Sequence, residues 1–489
     1  MSSSFLPRRT VLQGALVAAV TAFNPVSRSW ASEVQSGSIP LPTLDGQLLL
    51  DDATRTQAAD DYGHIISRKP WAVLVPGSVQ DIVKMVRFAR ANCLRIAGAR
   101  GVGDDDESHS TLGQAQVAAG IVIDMSGLSR IRSIGATSAW VDAGVRWIQL
   151  LTATVPQGKS PPTLTDYLEL SIGGTLSVGG IGGQAFRSGL QVDNVLELEV
   201  VTGRGELVCC SPLLNPTLFN AVRGGLGQFG IIVGARVRLV SVPPQARTFT
   251  ATYTSLPAFL ADQKKLDDDG RFDYVEGSVV TAADGTRTFQ LEAVKYFAPA
   301  SPPNNAALLA GLAFVPGSAQ TADSSYLDFV NRLAPLVAFL KAQGLWGLPH
   351  PWINMFVPQA CAAEFVRFVL DNTPPAEIGQ DPVLLYAFRP PKITAPFVRV
   401  PEGAHAFLFA LLRTANPGTP QNVAALMAKN QLFLDRLNQL GGKAYPVSQG
   451  PRTPAEWREH FGVRWLEFAS LKRVFDPDNV LTPGQGIFP

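Results

Sequence analysis

Cysteine is scarce in this sequence: Cys93, Cys209, Cys210 and Cys361 are the only four in 489 residues. Their spacing fits no zinc site and makes no disulfide framework, so they read as mainly buried thiols, and no metal is expected. An excess of either charge is also missing. With 41 Lys and Arg against 40 Asp and Glu, the net charge of +1 offers no electrostatic footprint for nucleic acid or another polyanion. There is no internal repeat and no low-complexity tract. Long hydrophobic runs are absent too. The run from Val11 to Ala22 falls short of the ~20 residues a membrane helix needs, and no later segment is apolar for long enough. That run follows Arg8-Arg9 and precedes the small-x-small Ser29-Trp30-Ala31. Residues 1–31 therefore read as a twin-arginine signal peptide, with an ordinary secretory signal as the alternative. The expectation is export to the periplasm or beyond, with no membrane span in the mature form.

What is present is a chain with 46% hydrophobic residues, long enough for two or three domains with a large core. After a lead-in over 32–60, residues 71–76 read as a strand. Ser78 then reads as the N-cap of a helix to about residue 91, striped by Ile82, Val83, Val86 and Phe88. Strands follow at 94–100, 121–124 and 140–145, and a hairpin over 195–210 turns at Thr202-Gly-Arg-Gly205. Pro243-Pro244 mark a boundary. Beyond it come strands at 246–254, 273–280 and 287–295, with helices near 257–267 and 323–343. These patterns give a first domain over 61–244 and a second over 245–430. A closing segment over 431–489, helical over 457–475, should pack back on the first.

The stretch 163–189 concentrates chemistry. Asp166 stands ahead of Ser171-Ile-Gly-Gly-Thr-Leu-Ser177 and Gly179-Gly-Ile-Gly-Gly183. Glycine lets backbone N–H groups come close to a ligand, and amides gathered in this way hold anions. The stretch is either a pyrophosphate cradle with a carboxylate at its rim or a run of tight turns. A second glycine motif, Gly225-Leu-Gly-Gln-Phe-Gly230, matches the dinucleotide fingerprint in letters only. That fingerprint follows a strand and opens a helix, whereas here a helix precedes and a strand follows, which argues against a Rossmann domain.

Asp166-Tyr-Leu, Gly173-Gly-Thr-Leu-Ser177, Asn194-Val-Leu-Glu-Leu198 and Gly224-Gly-Leu-Gly-Gln-Phe-Gly230 resemble motifs of the cytokinin dehydrogenases. So do Phe272-Asp-Tyr-Val-Glu-Gly277, His350-Pro-Trp-Ile-Asn354, Phe475-Asp-Pro477 and Pro483-Gly-Gln485. Those enzymes are vanillyl-alcohol-oxidase-like (PCMH-type) FAD flavoproteins, and the resemblance spans residues 60–489. It implies an α+β fold of two domains. Residues 61–244 and 431–489 would bind FAD. Between them would lie an inserted substrate domain over 245–430, an antiparallel sheet covered by helices. It implies FAD contacts from Gly101, Gly103, Ser110, Gln114, Asp166, Ser171, Ser177, Ile181, Ile232, Tyr445, Thr482 and Gln485. It also implies that His109 carries the flavin covalently. Here Asp104-Asp-Asp-Glu-Ser108 separates Gly103 from His109, departing from the usual Gly-x-Gly-His-Ser. Each of these carboxylates would cost roughly 4 kcal/mol within 4 Å of a phosphate charge at an effective dielectric near 20, so either the insert loops into water or the cradle is altered.

The resemblance makes Asp166 the base that takes the amine proton. It makes Glu276 a ligand to the adenine ring, and it makes Trp352 and Asn354 substrate contacts. Read from the residues alone, each has an alternative: Asp166 as a turn cap, Glu276 as a salt-bridge partner, and Trp352 and Asn354 as a core indole and a satisfied amide. On a strand, Phe272, Tyr274 and Glu276 would share a face. The implied reaction is oxidation of an N6-alkenyl adenine to an imine that water cleaves to adenine and an aldehyde. The electrons would pass to a quinone-like acceptor or to oxygen. Two other readings stay open: an FAD oxidase of the same fold acting on a sugar, alcohol or other secondary metabolite, and a flavin-free binding protein.

Overall fold

The computed structural model describes residues 21–31, 38–99, 101–102, 109–282, 284–378 and 382–489. The paired arginines and the apolar run up to residue 20, Gly103 and the Asp104–Ser108 insert lie outside them. Among the described residues no helix is long and apolar enough to cross a membrane.

The described residues up to 44 form a unit of their own. In it Ala22–Asn24 pairs antiparallel with Ser29–Ala31 and with Ile39–Pro40, and the Phe23 ring packs on Trp30 with centroids 4.8 Å apart.

Residues 45–489 form the second unit, built on three main sheets. A four-stranded sheet runs in the order Gln47–Leu49, Ala72–Val75, Ile121–Asp124, Ile96–Ala99. Its last three strands are parallel, because the helix Val79–Ala91 carries the chain back between two of them. A five-stranded antiparallel sheet follows, with Val195–Thr202, Gly230–Arg238 and Ser138–Asp142 as its inner strands. Helix Pro216–Val222 precedes the glycine motif and strand Gly230–Arg238 follows it, the reverse of a dinucleotide fold.

At Gln245 the chain changes sheet. An eight-stranded antiparallel sheet runs from Gln320–Ser325 at one edge to Lys443–Ala444 at the other. Period two divides its residues cleanly. Odd-numbered Val275, Leu291, Met355, Leu385 and Phe409 are buried beneath the helices Leu256–Asp269, Ala362–Asp371 and Pro420–Gln439. Even-numbered Glu276, Glu292, Asn354, Tyr386 and Leu408 face a cavity on the other side.

Several local expectations change. The helix expected over 323–343 is a strand to Ser325, a short helix Tyr326–Val330 and a second helix Ala334–Ala342. Pro335 in the first turn of the second helix lacks the N–H that a continuous helix would use. The helix over 457–475 breaks at Gly462, φ 52°, into Pro454–Phe461 and Trp465–Phe475. Residue 430 lies inside the helix Pro420–Gln439, and the sheet takes its last strand from Lys443–Ala444, so the expected boundary moves past Ala444. Phe272 does not share a face with Tyr274 and Glu276. It precedes the strand Tyr274–Thr281 and packs on Phe249 in the helix-side core. The C-terminal segment returns to the first strands: Thr482 N–H donates to Ile96 O at 2.8 Å, and the buried Lys472 ammonium bonds Asp476 and Gln228.

Candidate active site

One cavity of about 1100 Å3 lies between the glycine-rich stretch, the polar face of the eight-stranded sheet and the C-terminal segment. It exceeds the ~300–1,000 Å3 of a single-ligand pocket, leaving space for a large and a small molecule side by side. Every sequence-predicted site residue among the described ones lines it.

The glycine stretch forms its floor. Ser171 caps the helix Ile172–Val178, its Oγ accepting Gly174 N–H, and Ser177 Oγ donates to Gly173 O at 2.8 Å. At Gly180 the backbone takes φ 74°, a value that favours glycine, and its N–H donates to the buried Tyr445 hydroxyl at 2.8 Å. Gly183 is glycine for space. A Cβ there would sit 2.6 Å from the Tyr274 ring and 2.8 Å from Glu276 Cγ. That close approach lets the sheet's polar face meet the loop carrying Asp166.

Four acidic or phenolic groups gather there around one cation. Tyr274 hydroxyl donates to Asp166 Oδ1 at 2.9 Å. Arg332 Nη2 bonds Asp166 Oδ1 at 2.8 Å, lies 3.4 Å from Glu276 Oε2 and also bonds the Tyr274 hydroxyl. Its Nε is 3.1 Å from Glu292 Oε1. Glu276 and Glu292 face each other directly across neighbouring strands. Burial, reinforced by the Asp166 charge and opposed by Arg332, holds the Glu276 carboxyl well above the usual carboxylate range. Burial raises Glu292 as well. Burial works against the charge on Arg332, but Tyr274 and the carboxylates outweigh it, so it stays a cation. Glu276 Oε1 is buried without a hydrogen-bond partner among the described residues.

Next to this cluster stands an aromatic cage. Tyr62, Tyr167 and Trp346 are buried together, with Trp352 and the aliphatic side chains of Leu333, Val337 and Leu340 against them. His109 stacks on Tyr167 with centroids 4.2 Å apart and planes 8° apart, and it meets Trp352 edge-on at 5.0 Å. Burial, with the neighbouring His350, pushes its imidazole down to about 3, so the ring is neutral. Neither His109 Nε2 nor Trp352 Nε1 has a hydrogen-bond partner among the described residues, and both are buried. Asn354 Nδ2, in contrast, is committed to Ser448 Oγ at 2.8 Å.

The comparisons with known proteins bear on what this cavity holds. Residues 70–211 match an FAD binding domain. Residues 281–488 match the family model described as cytokinin dehydrogenase 1, FAD and cytokinin binding. An uncharacterized oxidoreductase of the fasciation locus of Rhodococcoides fascians is 39% identical over 434 residues, 89% of this chain and 97% of that protein. Cytokinin dehydrogenase 5 of Oryza sativa subsp. japonica is 35% identical over 517 residues, 95% of this chain and 94% of its own. The chain belongs to the cytokinin dehydrogenase family. As a member it is an FAD-dependent oxidoreductase. The solved structure of 6-hydroxy-D-nicotine oxidase from Arthrobacter nicotinovorans shares the fold, with a TM-score of 0.68 over 89% of this chain and 96% of that one, at 22% identity.

The residues of this cytokinin dehydrogenase relative fit FAD. Side-chain-free backbone at Gly173, Gly174 and Gly180 faces the cavity, as a pyrophosphate requires. The aromatic cage offers flat apolar walls to a ring system. The orphaned Nε2 of His109 and Oε1 of Glu276 point to missing partners, since buried polar atoms are ordinarily paired.

Four functional residues went unread in the sequence. Arg332 was hidden inside a presumed continuous helix, although Pro335 signals its break. Glu292 follows from a hairpin about Asp284-Gly285, where Ala282 N–H donates to Thr286 O; that register places it opposite Glu276. Asp61 and Trp346 carry no local signal. Asp61 Oδ2 accepts Gly113 N–H at 2.7 Å and Ser110 Oγ–H at 3.0 Å, fixing the loop that follows His109. Gln114 braces the same loop, accepting Leu112 N–H at 2.9 Å.

Burial pushes Asp61 from 3.8 up to about 6, against the opposing pull of its hydrogen bonds. A carboxyl raised on folding adds stability that is complete below its unfolded value and lost as the pH rises through its folded one. The wild-type melting temperature should therefore carry a falling contribution from about pH 4 to about pH 6, which Asp61→Asn removes. Parallel melting curves for the two proteins across that interval would show that Asp61 does not titrate there.

Proposed function

We propose that the protein oxidises the side-chain amine of N6-alkenyl adenines, the cytokinins, to an imine that water cleaves to adenine and an aldehyde. The observation that carries this reading is the Asp166–Glu276 pair, set beside the aromatic cage in one cavity. When bound, FAD supplies the acceptor for the hydride lost from the carbon next to the amine. Asp166, held by Arg332 and Tyr274, is placed to take the amine proton. Glu276, whose carboxyl burial holds well above the usual carboxylate range, can in its protonated form donate to a ring nitrogen and accept from an N–H. Adenine offers such a donor–acceptor edge. Trp352 presents an apolar wall to a flat ring, and an N–H without a partner among the described residues, and Tyr167 and Trp346 exclude water. Turnover then needs an electron acceptor, a quinone-like molecule or oxygen. Family membership supports the substrate class, since relatives spanning nearly the whole chain are cytokinin dehydrogenases.

Anaerobic addition of N6-isopentenyl adenine to the holoprotein should bleach its visible flavin band, and adenine without the alkenyl tail should leave it unchanged. Bleaching by a sugar or alcohol, with none by any N6-alkenyl adenine, would replace this substrate class with the other.

A further inference from the structure

We infer that Arg332 is a positioning residue for this site: it orients Asp166 and fixes the charge of the Asp166–Glu276–Glu292 cluster. The inference rests on the reading of Asp166 as base and concerns how that base is kept ready. Three carboxyl groups converge on one guanidinium. Asp166 Oδ1 lies 2.8 Å from Nη2, Glu276 Oε2 3.4 Å from the same nitrogen, and Glu292 Oε1 3.1 Å from Nε. The guanidinium carbon lies over the rings of Tyr274 and Phe329, 4.9 and 5.0 Å from their centroids. Its position is thus set by packing as well as by charge.

The cluster needs this cation because its carboxyls are forced together. Glu276 and Glu292 are register partners on adjacent strands, where like charges repel. The missing side chain at Gly183 lets Glu276 come close to the loop of Asp166. Tyr274, Tyr296 and Tyr386 are the other titratable groups that feel the cluster, and burial keeps all three phenols protonated. Among the described residues, Arg332 is therefore the positive group that electrostatically opposes ionised carboxyls at Glu276 and Glu292. It arrives from the break between the helices Tyr326–Val330 and Ala334–Ala342. The wall beyond it, Leu333, Leu336, Val337 and Leu340, is aliphatic.

The test uses Arg332→Met, Arg332→Lys and Glu292→Gln holoproteins, each checked for flavin-to-protein ratio and followed by the rate of anaerobic flavin reduction against pH. An opposite charge at this range shifts a carboxyl by ~1–3 pH units. The acid limb of the reduction rate should move to higher pH by about that much in Arg332→Met, return towards wild type in Arg332→Lys, and move to lower pH in Glu292→Gln. Slower reduction with the limb unmoved would reduce Arg332 to a structural brace and overturn the inference. Should Arg332→Met not fold, an unmoved limb in Glu292→Gln overturns it equally. A readout without substrate separates this from the choice of substrate: the infrared band of protonated carboxyls should grow in Arg332→Met at neutral pH. If no N6-alkenyl adenine reduces the wild type, the proposed function fails while the infrared comparison still decides the role of Arg332.

Discussion

Asp166→Asn should hold its flavin yet reduce it with N6-isopentenyl adenine ~10²–10⁴-fold more slowly than wild type, the usual contribution of a positioned base. The substitution is nearly isosteric. An amide oxygen can still accept from Tyr274 and Arg332, which bond the same Oδ1 at 2.9 and 2.8 Å, so the local geometry survives. What is lost is the charge and the capacity to take a proton. The effect should therefore fall on kcat rather than on substrate binding, because the group acts in the transition state. Stopped-flow reduction under anaerobic conditions measures the step directly. A variant that binds FAD normally and bleaches at the wild-type rate would remove Asp166 from the chemistry.

His109→Ala should abolish covalent flavin. We expect the wild-type band on a denaturing gel to keep flavin fluorescence and the variant's band to be dark, although the native variant can still bind FAD. The neutral imidazole, pushed down to about 3 by burial, is unprotonated at any physiological pH. Its Nε2 is buried without a hydrogen-bond partner among the described residues, and stacking on Tyr167 with an edge contact to Trp352 limits how the ring can turn. A second signature follows from mass action. A ligand held only reversibly stabilises in proportion to the logarithm of its free concentration. Added FAD should raise the melting temperature of His109→Ala and leave that of the wild type unchanged. A dark wild-type band would end the proposal of a covalent link.

How far the site could be read from residues differs from one group to the next. Asp166 and the glycines after it were legible because their signal is local: a carboxylate ahead of backbone that needs freedom at Gly180 and space at Gly183. The pairing of Tyr274 with Glu276 followed from period two, and the same rule failed for Phe272 because that residue lies before the strand. Glu292 was within reach of hairpin logic once the Asp284-Gly285 turn was placed. Asp61 was not, since its partners Gly113 and Ser110 lie 52 and 49 residues away.

By itself the sequence determined the alternation of strands and helices, the reversed order around Gly225–Gly230, and the succession of motifs that marks a cytokinin dehydrogenase relative using FAD. These are properties of short segments, fixed by backbone freedom and side-chain period. Only the tertiary structure decided which charges meet. Arg332 reaches Asp166 across 166 residues and Glu276 across 56, and neither contact is encoded in spacing. Sheet register set Glu276 against Glu292, and a broken helix delivered the cation between them. A carboxyl's proton affinity depends on burial and on neighbouring charge, so the electrostatic state of this site belongs to the fold rather than to any stretch of the chain.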